Sequence, residues 1–250
     1  MIGLAVFLLI RSDRMYSKKK NAEKAADELF KRLMASRDMN ERWTLLRQHV
    51  TNSSADMMQF VMDAYNDIID GFIHEDLKKL RKVMNKTNQE KQDLKKTRRK
   101  QILGLRRIDK FLAIEKNTWY HLGSNSCEQM LYCLKRISEP CKEHVDNNFK
   151  PLSERARKEI APICEEMVSL MTQAREEMIN GNYDKTDTIL KEGDALKNKI
   201  SALRKQQMNR IHDENVNVKT AMVYLNVLQE SQELVSVWRH LLRASRMFQA

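Results

Sequence analysis

Apolar residues recur at spacings of three and four over long stretches of this chain, a period typical of helices that bury one face. Residues that interrupt helices are rare, because the 250 residues include only six glycines and three prolines. Valine, isoleucine and threonine never alternate with polar residues in the manner of a half-buried strand. The pattern predicts an all-α fold of long helices joined by short connections.

Particular residues mark helix starts and ends. Asp38 or Asn40, and later Ser153, are suitable N-caps, because their side chains accept hydrogen bonds from free backbone N–H groups. Gly71 and Gly181 are predicted to end the helices in which they lie.

The stretch from Trp119 to His144 is predicted to be a central helix of a bundle. Pro140 predicts a kink or a break in it, since proline lacks an N–H group and clashes with the preceding turn. The helix carries a seam of small residues, which let neighbouring backbones approach closely: Gly123, Ser124, Ser126 and Cys127. The four cysteines of the chain show no CxxC spacing and predict reduced thiols packed as small apolar residues.

Two parts of the chain are similar to each other. Ile69–Phe72 matches Ile179–Asn182 at a shift of 110 residues, and His121–Leu122 matches Tyr224–Leu225 at a shift of 103. The shifts differ by seven residues, which is one heptad and keeps a helical seam in phase. We therefore expect a connecting helix and then two tandem antiparallel three-helix bundles, at residues 21–38, 39–148 and 149–250.

Residues 1–20 contain a short apolar run, Ile2–Ile10, followed by basic residues that include Lys18–Lys20. The run cannot cross a bilayer alone, because a spanning helix needs about 20 apolar residues. A signal peptide would place its positive charge before the apolar run. The order favours the cytoplasmic end of a transmembrane helix with a basic flank, and a weak interfacial anchor is the alternative.

Two groups of acidic residues are candidate ligands for a hard divalent cation. Asp63 and Asp67 belong to a stripe on one helix face that runs from Asp56 to Asp70. A solvated acidic face, paired with lysine or arginine of the next helix, is the favoured alternative.

Glu128 and Glu230 lie near the seam of small residues and form the second group. Each could ligate an ion or form a salt bridge with Arg136 or Arg239. Salt bridging is the favoured interpretation.

The formal net charge of +11 favours an anionic partner. The densest basic segment supplies six candidate contacts to a membrane or a partner protein: Lys95, Lys96, Arg98, Arg99, Arg106 and Arg107. Nucleic acid is disfavoured, because no tyrosine or phenylalanine interleaves with the segment as a stacking platform would need. Anionic lipid, the inner loops of a membrane protein and a merely solvated helix end stay open.

Motifs of catalysis are missing from the sequence, which has no Ser-His-Asp arrangement, glycine-rich phosphate loop or HExxH. We expect no enzyme activity and no cofactor beyond the candidate divalent cation.

The two three-helix units resemble the PhoU-like family, whose third helices tend to carry an E-R-[IA]-[GA]-D motif. The first copy here reads Lys135-Arg136-Ile137-Ser138-Glu139, and the second reads Trp238-Arg239-His240-Leu241-Leu242. The resemblance implies metal binding by the acids of the motif, of which only Glu139 is kept. Arg136 and Arg239 persist in the two copies, and we expect them to have a structural and regulatory role.

The stretches HVDNN, YLNVLQESQEL and LLRASRMFQ are similar to the cytoplasmic C-terminal PhoU-like domains of bacterial phosphate transporters. The resemblance implies a regulatory or coupling domain of a Pit-type or sodium-coupled carrier, at the cytoplasmic face of the inner membrane. The expected partners are the transmembrane part of the carrier, in the same chain, and the inner membrane surface; self-association is left open. The alternative is a stand-alone PhoU-like adaptor that regulates phosphate uptake or signalling through protein partners.

Overall fold

A computed structural model of the chain describes residues 24–213 and 217–250, and this part contains seven α-helices and no strand. The first helix, α1, spans residues 24–35. Six long helices follow: α2 Met39–Ile73, α3 Leu77–Leu105, α4 Lys110–Asp146, α5 Glu154–Asn180, α6 Thr186–Asp213 and α7 Val218–Gln249. The predicted all-α fold is confirmed. The predicted membrane-proximal segment, residues 1–20, lies outside the described residues, among which no helix has both the length and the hydrophobicity needed to cross a bilayer.

Local capping chemistry sets several helix ends where the sequence predicts them. The Asp38 carboxylate caps α2 by accepting a 2.7 Å hydrogen bond from the N–H of Asn40, and the Ser153 hydroxyl caps α5 by accepting one from the N–H of Ala156. Gly181 ends α5 in the left-handed conformation, with φ 66°. These three predictions are confirmed.

Gly71 does not end its helix, so that prediction is wrong. Helix α2 continues to Ile73, and the chain turns at Glu75, which has φ 56°. A β-carbon on Gly71 would lie 3.0 Å from Leu80 Cγ. Gly71 therefore allows α3 to pack closely on α2, whereas Gly181 allows the chain to turn after α5.

Helices that are consecutive within each group of three run antiparallel. Between α3 and α4, for example, Arg81 contacts Asp146 while Arg98, further along α3, contacts Glu128, earlier in α4. The two groups, α2–α4 and α5–α7, meet along two further antiparallel pairs, α4 with α7 and α2 with α5.

One continuous hydrophobic core receives side chains from all six long helices, among them Met58, Leu80, Met130, Met171, Ile200 and Trp238. The division of the chain into domains at residue 149 stays a prediction, since the core runs across that boundary. A second cluster fixes α1 to the bundle, with Leu33 packed against Leu46 and Leu105. A β-carbon on Gly104 would lie 2.8 Å from Leu46 Cδ1 and 3.5 Å from Leu33, so this glycine makes room for Leu46 of α2 beneath α1.

A buried hydrogen-bond chain joins the two groups of helices at their centre. The Ser231 hydroxyl of α7 donates to the carbonyl of Val227 at 2.7 Å, so its lone pairs are left for Tyr65 of α2, whose hydroxyl donates to it at 2.8 Å. The thiol of Cys164, in α5, contacts the Tyr65 oxygen at 3.9 Å. Burial raises the pKa of Tyr65 well above its ordinary value, so the phenol stays protonated as this chain of hydrogen bonds requires.

Tyr65→Phe removes this donor and leaves the buried oxygen of Ser231 short of a partner. We expect the free energy of unfolding to fall by about 1–2 kcal/mol, the usual cost of such a loss. Urea unfolding followed by circular dichroism measures it.

Tyr183→Phe is the matched control, because the buried hydroxyl of Tyr183 has no hydrogen-bond partner among the described residues. Removing it should not lower stability. Equal losses in the two variants would contradict a specific role for the Tyr65 bond.

Candidate functional site

The arginine of the first motif copy joins the two groups of helices. Arg136 Nε, on α4, donates to Glu230 Oε2, on α7, at 2.7 Å. This hydrogen bond raises the pKa of Arg136. The predicted salt bridge between these two residues is confirmed, and the Glu230 carboxylate is engaged by arginine.

The backbone of Arg136 also contacts α7, and Pro140 is the reason. A proline in a helix has no N–H group for the carbonyl four residues earlier, which here is the carbonyl of Arg136. The Asn226 side chain donates a long hydrogen bond of 3.4 Å to that carbonyl. Helix α4 continues through Pro140 to Asp146, so the alternative of a break is wrong.

The arginine of the second copy serves its own group of helices. Arg239 is buried, with 6% of its side chain exposed, and pairs with the exposed carboxylate of Asp194 on α6. A β-carbon on the neighbouring Gly193 would lie 2.7 Å from Arg239 Cδ. The two motif arginines are therefore not equivalent: Arg136 bridges the two groups, whereas Arg239 locks α6 to α7.

The remaining acidic candidates lie apart and are held by other partners. Glu128 pairs with Arg98 at 2.7 Å rather than with a motif arginine, and Glu139 contacts Lys135 of its own helix at 3.4 Å. The predicted pairing of Glu128 with Arg136 or Arg239 is therefore wrong.

The acidic stripe of α2 is divided among separate contacts as well. Asp63 accepts a hydrogen bond from Gln59, and Asp70 pairs with Lys79 and His74, which lowers the pKa of Asp70. Asp67 lies one turn before Asp70. The hydrogen bond to Asp70 raises the pKa of Lys79, and the charge of Asp67 adds to that effect. Across residues 24–213 and 217–250, no three His, Cys, Asp or Glu side chains are arranged to hold a metal ion.

Among the described residues, the basic segment separates into two residues that pair with other side chains and an outward set of four that do not. Arg98 faces α4, where it also contacts Asn125, and Lys96 pairs with Asp93. The outward set is exposed and has no carboxylate within ion-pair distance in the described part of the chain: Lys95, Arg99, Arg106 and Arg107.

The cysteines offer no reactive thiolate. All four are free and buried, as the sequence predicts for residues that pack as small apolar groups. Burial raises the pKa of Cys127 and of Cys133 to about 12, and that of Cys164 to about 11. Thiols with such pKa values are not nucleophiles near neutral pH.

A buried polar cluster in the first group of helices is absent from the sequence predictions. His49 lies 3.5 Å from the side-chain nitrogen of Gln101, and Gln101 accepts a hydrogen bond from Tyr120. Burial, aided by the charge of Lys100, lowers the pKa of His49. The adjoining cavity measures about 20 Å³, room for one water molecule and not for a ligand.

Gly193→Ala tests the close packing of Arg239 on Gly193. The new methyl group would crowd Arg239 Cδ and lie 3.2 Å from a ring carbon of Trp238. We expect the free energy of unfolding to fall by about 1–3 kcal/mol, the range typical of overpacking. Urea unfolding is again the measurement.

Gly123→Ala is the control, because its methyl group would meet Leu241 and Ala244 of α7 at ordinary contact distances of 3.6 and 3.7 Å. Stability should hold or rise by up to about 1 kcal/mol, since alanine favours helix more than glycine does. A stability loss at Gly123 as large as that at Gly193 would contradict the close packing assigned to Arg239.

No protein-family model matches the chain, and no curated protein matches it. Solved structures share its fold, and two of them are PhoU proteins. PhoU from Pseudomonas aeruginosa superposes with a TM-score of 0.68 at 9% identity, over 84% of this chain and 98% of that chain. The phosphate transport system regulatory protein PhoU from Streptococcus pneumoniae superposes with a TM-score of 0.63 at 12% identity, over 82% of this chain and 96% of that chain. At these identities the shared property is the fold, and the chain has the PhoU-like helical-bundle fold.

Proposed function

We propose that this chain is a PhoU-like regulator of phosphate transport that acts through contacts with protein partners. The observation that carries the proposal is the extent of the shared fold, which spans nearly the whole of two PhoU chains, one of them a phosphate transport system regulatory protein.

Two forms of this regulator have support. The near-complete coverage of the two PhoU chains favours a stand-alone adaptor. The apolar and then basic sequence of residues 1–20 supports the other form, a regulatory domain attached to a phosphate carrier at the inner face of the membrane.

In either form, the protein acts by binding its partner and not by catalysing a reaction. A helical bundle biases a transporter or a sensor only if its contacts differ between the states of that partner. We assign no cofactor to this role. In the proposal, the ion pairs of Arg136 with Glu230 and of Arg239 with Asp194 hold the helices together through the arginine position of the family motif.

Deletion of the gene tests the proposal through uptake of radiolabelled phosphate in starved and in phosphate-replete cells. We expect replete cells without the protein to keep a high uptake that the wild type represses, because the restraining contact is lost. Starved cells should differ little from the wild type. A plasmid copy of the chain should restore repression, and identical uptake at every phosphate level would contradict the regulatory role.

An immunoblot of the same cells separates the two forms. A species near 29.5 kDa supports the adaptor, and a much larger species supports the carrier-attached domain.

A further inference from the structure

The corner between α3 and α4 exposes large apolar side chains to solvent. Phe111 is 82% exposed, Ile114 66% and Leu103 46%. Most other apolar residues of these helices are buried or half-buried against a neighbour. An exposed apolar patch with a polar or charged rim is typical of an interaction surface.

The rim of this patch is positively charged. Arg99, Arg106 and Arg107 belong to the outward basic set, and Lys110 is exposed at the start of α4. None of the four has a carboxylate within ion-pair distance in residues 24–213 and 217–250. Two acids adjoin the patch in sequence and both are engaged: Asp109 caps α4 through the N–H groups of Phe111 and Leu112, and Glu115 pairs with Lys116.

On α3, the basic and apolar side chains share the outward side of the helix. Arg99, Leu103 and Arg106 follow one another at spacings of four and three, which places them on one face. Both flanks of that face are packed against other helices, since Arg98 contacts α4 and Gly104 faces Leu46 of α2 and Leu33 of α1.

On α4, Phe111 and Ile114 are three residues apart, and both are exposed. About three turns further along the same face, Asn125 contacts Arg98 of α3, whereas Gly123 faces α7. Because α3 and α4 are antiparallel neighbours, their outward faces meet at the corner. We call this surface the corner face, made of Arg99, Leu103, Arg106, Arg107, Lys110, Phe111 and Ile114.

Helix α1 contacts α3 beside this patch. Asp27 of α1 pairs with Lys100, which directly follows Arg99, and the Lys100 ammonium lies 5.9 Å from the ring centre of Phe30. The sequence that precedes α1 contains the apolar run Ile2–Ile10 and its basic flank. By composition alone, this sequence and the exposed patch are alike, since both combine apolar residues with basic ones in the manner of membrane-surface anchors.

We propose that the corner face docks on an anionic lipid bilayer. Phe111 and Ile114 enter the interfacial layer, and the arginines and the lysine of the rim contact the headgroups. A nucleic acid fits less well, because Phe111 is the one aromatic side chain of the face and successive bases need several. This surface does not depend on the proposed role in phosphate transport, and either proposal can fail without the other.

Vesicle sedimentation with the full chain tests the docking surface. The wild type should pellet with vesicles that contain phosphatidylglycerol and only weakly with pure phosphatidylcholine. F111S/I114S should lower the partition coefficient about tenfold or more, through loss of the apolar insertion. In R99Q/R106Q/K110Q we expect the partition coefficient to fall about fivefold for each charge removed. Vesicle binding by this variant should also depend less on salt.

Two matched variants control for hydrophobicity and for charge. V218S/M222S removes two exposed apolar side chains at the opposite end of the bundle, where Met222 is 59% exposed. K191Q/K205Q/R243Q removes three exposed charges from α6 and α7. Both controls should bind vesicles as the wild type does.

A fluorescence measurement distinguishes membrane contact by the corner face from membrane contact by the N-terminal segment. F111W should show a blue shift of its emission on addition of anionic vesicles, and M222W should show none. Absence of that shift, equal vesicle binding by the corner and control variants, or no binding by the wild type would each overturn the proposal. Equal binding would assign the membrane contact to the N-terminal segment, and no binding would leave the corner face to a protein partner.

Discussion

The antiparallel packing of α4 on α7 is the constraint on which the rest of the structure depends. These helices are the last of their groups, so their contact fixes where both preceding hairpins lie. Near the middle of α4, Arg136 contacts Glu230 through its side chain and Asn226 through its carbonyl. Towards the start of α4, Tyr120 packs near Phe248 at the end of α7. The pair therefore holds along most of its length.

The motif arginines contribute to this packing in different ways. Arg136 is half exposed, and an ion pair of that kind adds little to stability, so its main effect is on the alignment of α4 with α7. Arg239 is buried over Gly193 and acts chiefly through the space that its side chain fills. Through these ion pairs the two motif arginines hold neighbouring helices together. A bundle built in this way can present surfaces to partners without performing chemistry.

The sequence predicts those features whose causes are local. Helical periodicity and the caps at Asp38 and Ser153 depend on a few neighbouring residues, and they are correct. The predicted helix end at Gly71 and the alternative of a break at Pro140 are wrong because both positions depend on other helices, through Leu80 in one case and Asn226 in the other.

The candidate site follows the same rule. The sequence favours a salt bridge of Glu230 with Arg136 or Arg239, and in the structure the partner is Arg136. The partners of Glu128 and Arg239 lie on α3 and α6, and nothing in the sequence around them points there. The Tyr65–Ser231 hydrogen bond joins residues 166 positions apart, and the sequence around neither residue indicates it.

Hydrogen exchange monitored on Ser231→Ala is the most direct test of the claim that the two groups of helices form one cooperative body. The substitution lies in α7, but its buried hydroxyl bonds to Tyr65 of α2, and the core runs across both groups. We expect the slowest amides of α2–α4 and of α5–α7 to lose the same free energy of opening. Loss of protection confined to α5–α7, with α2–α4 unchanged, would contradict the single body.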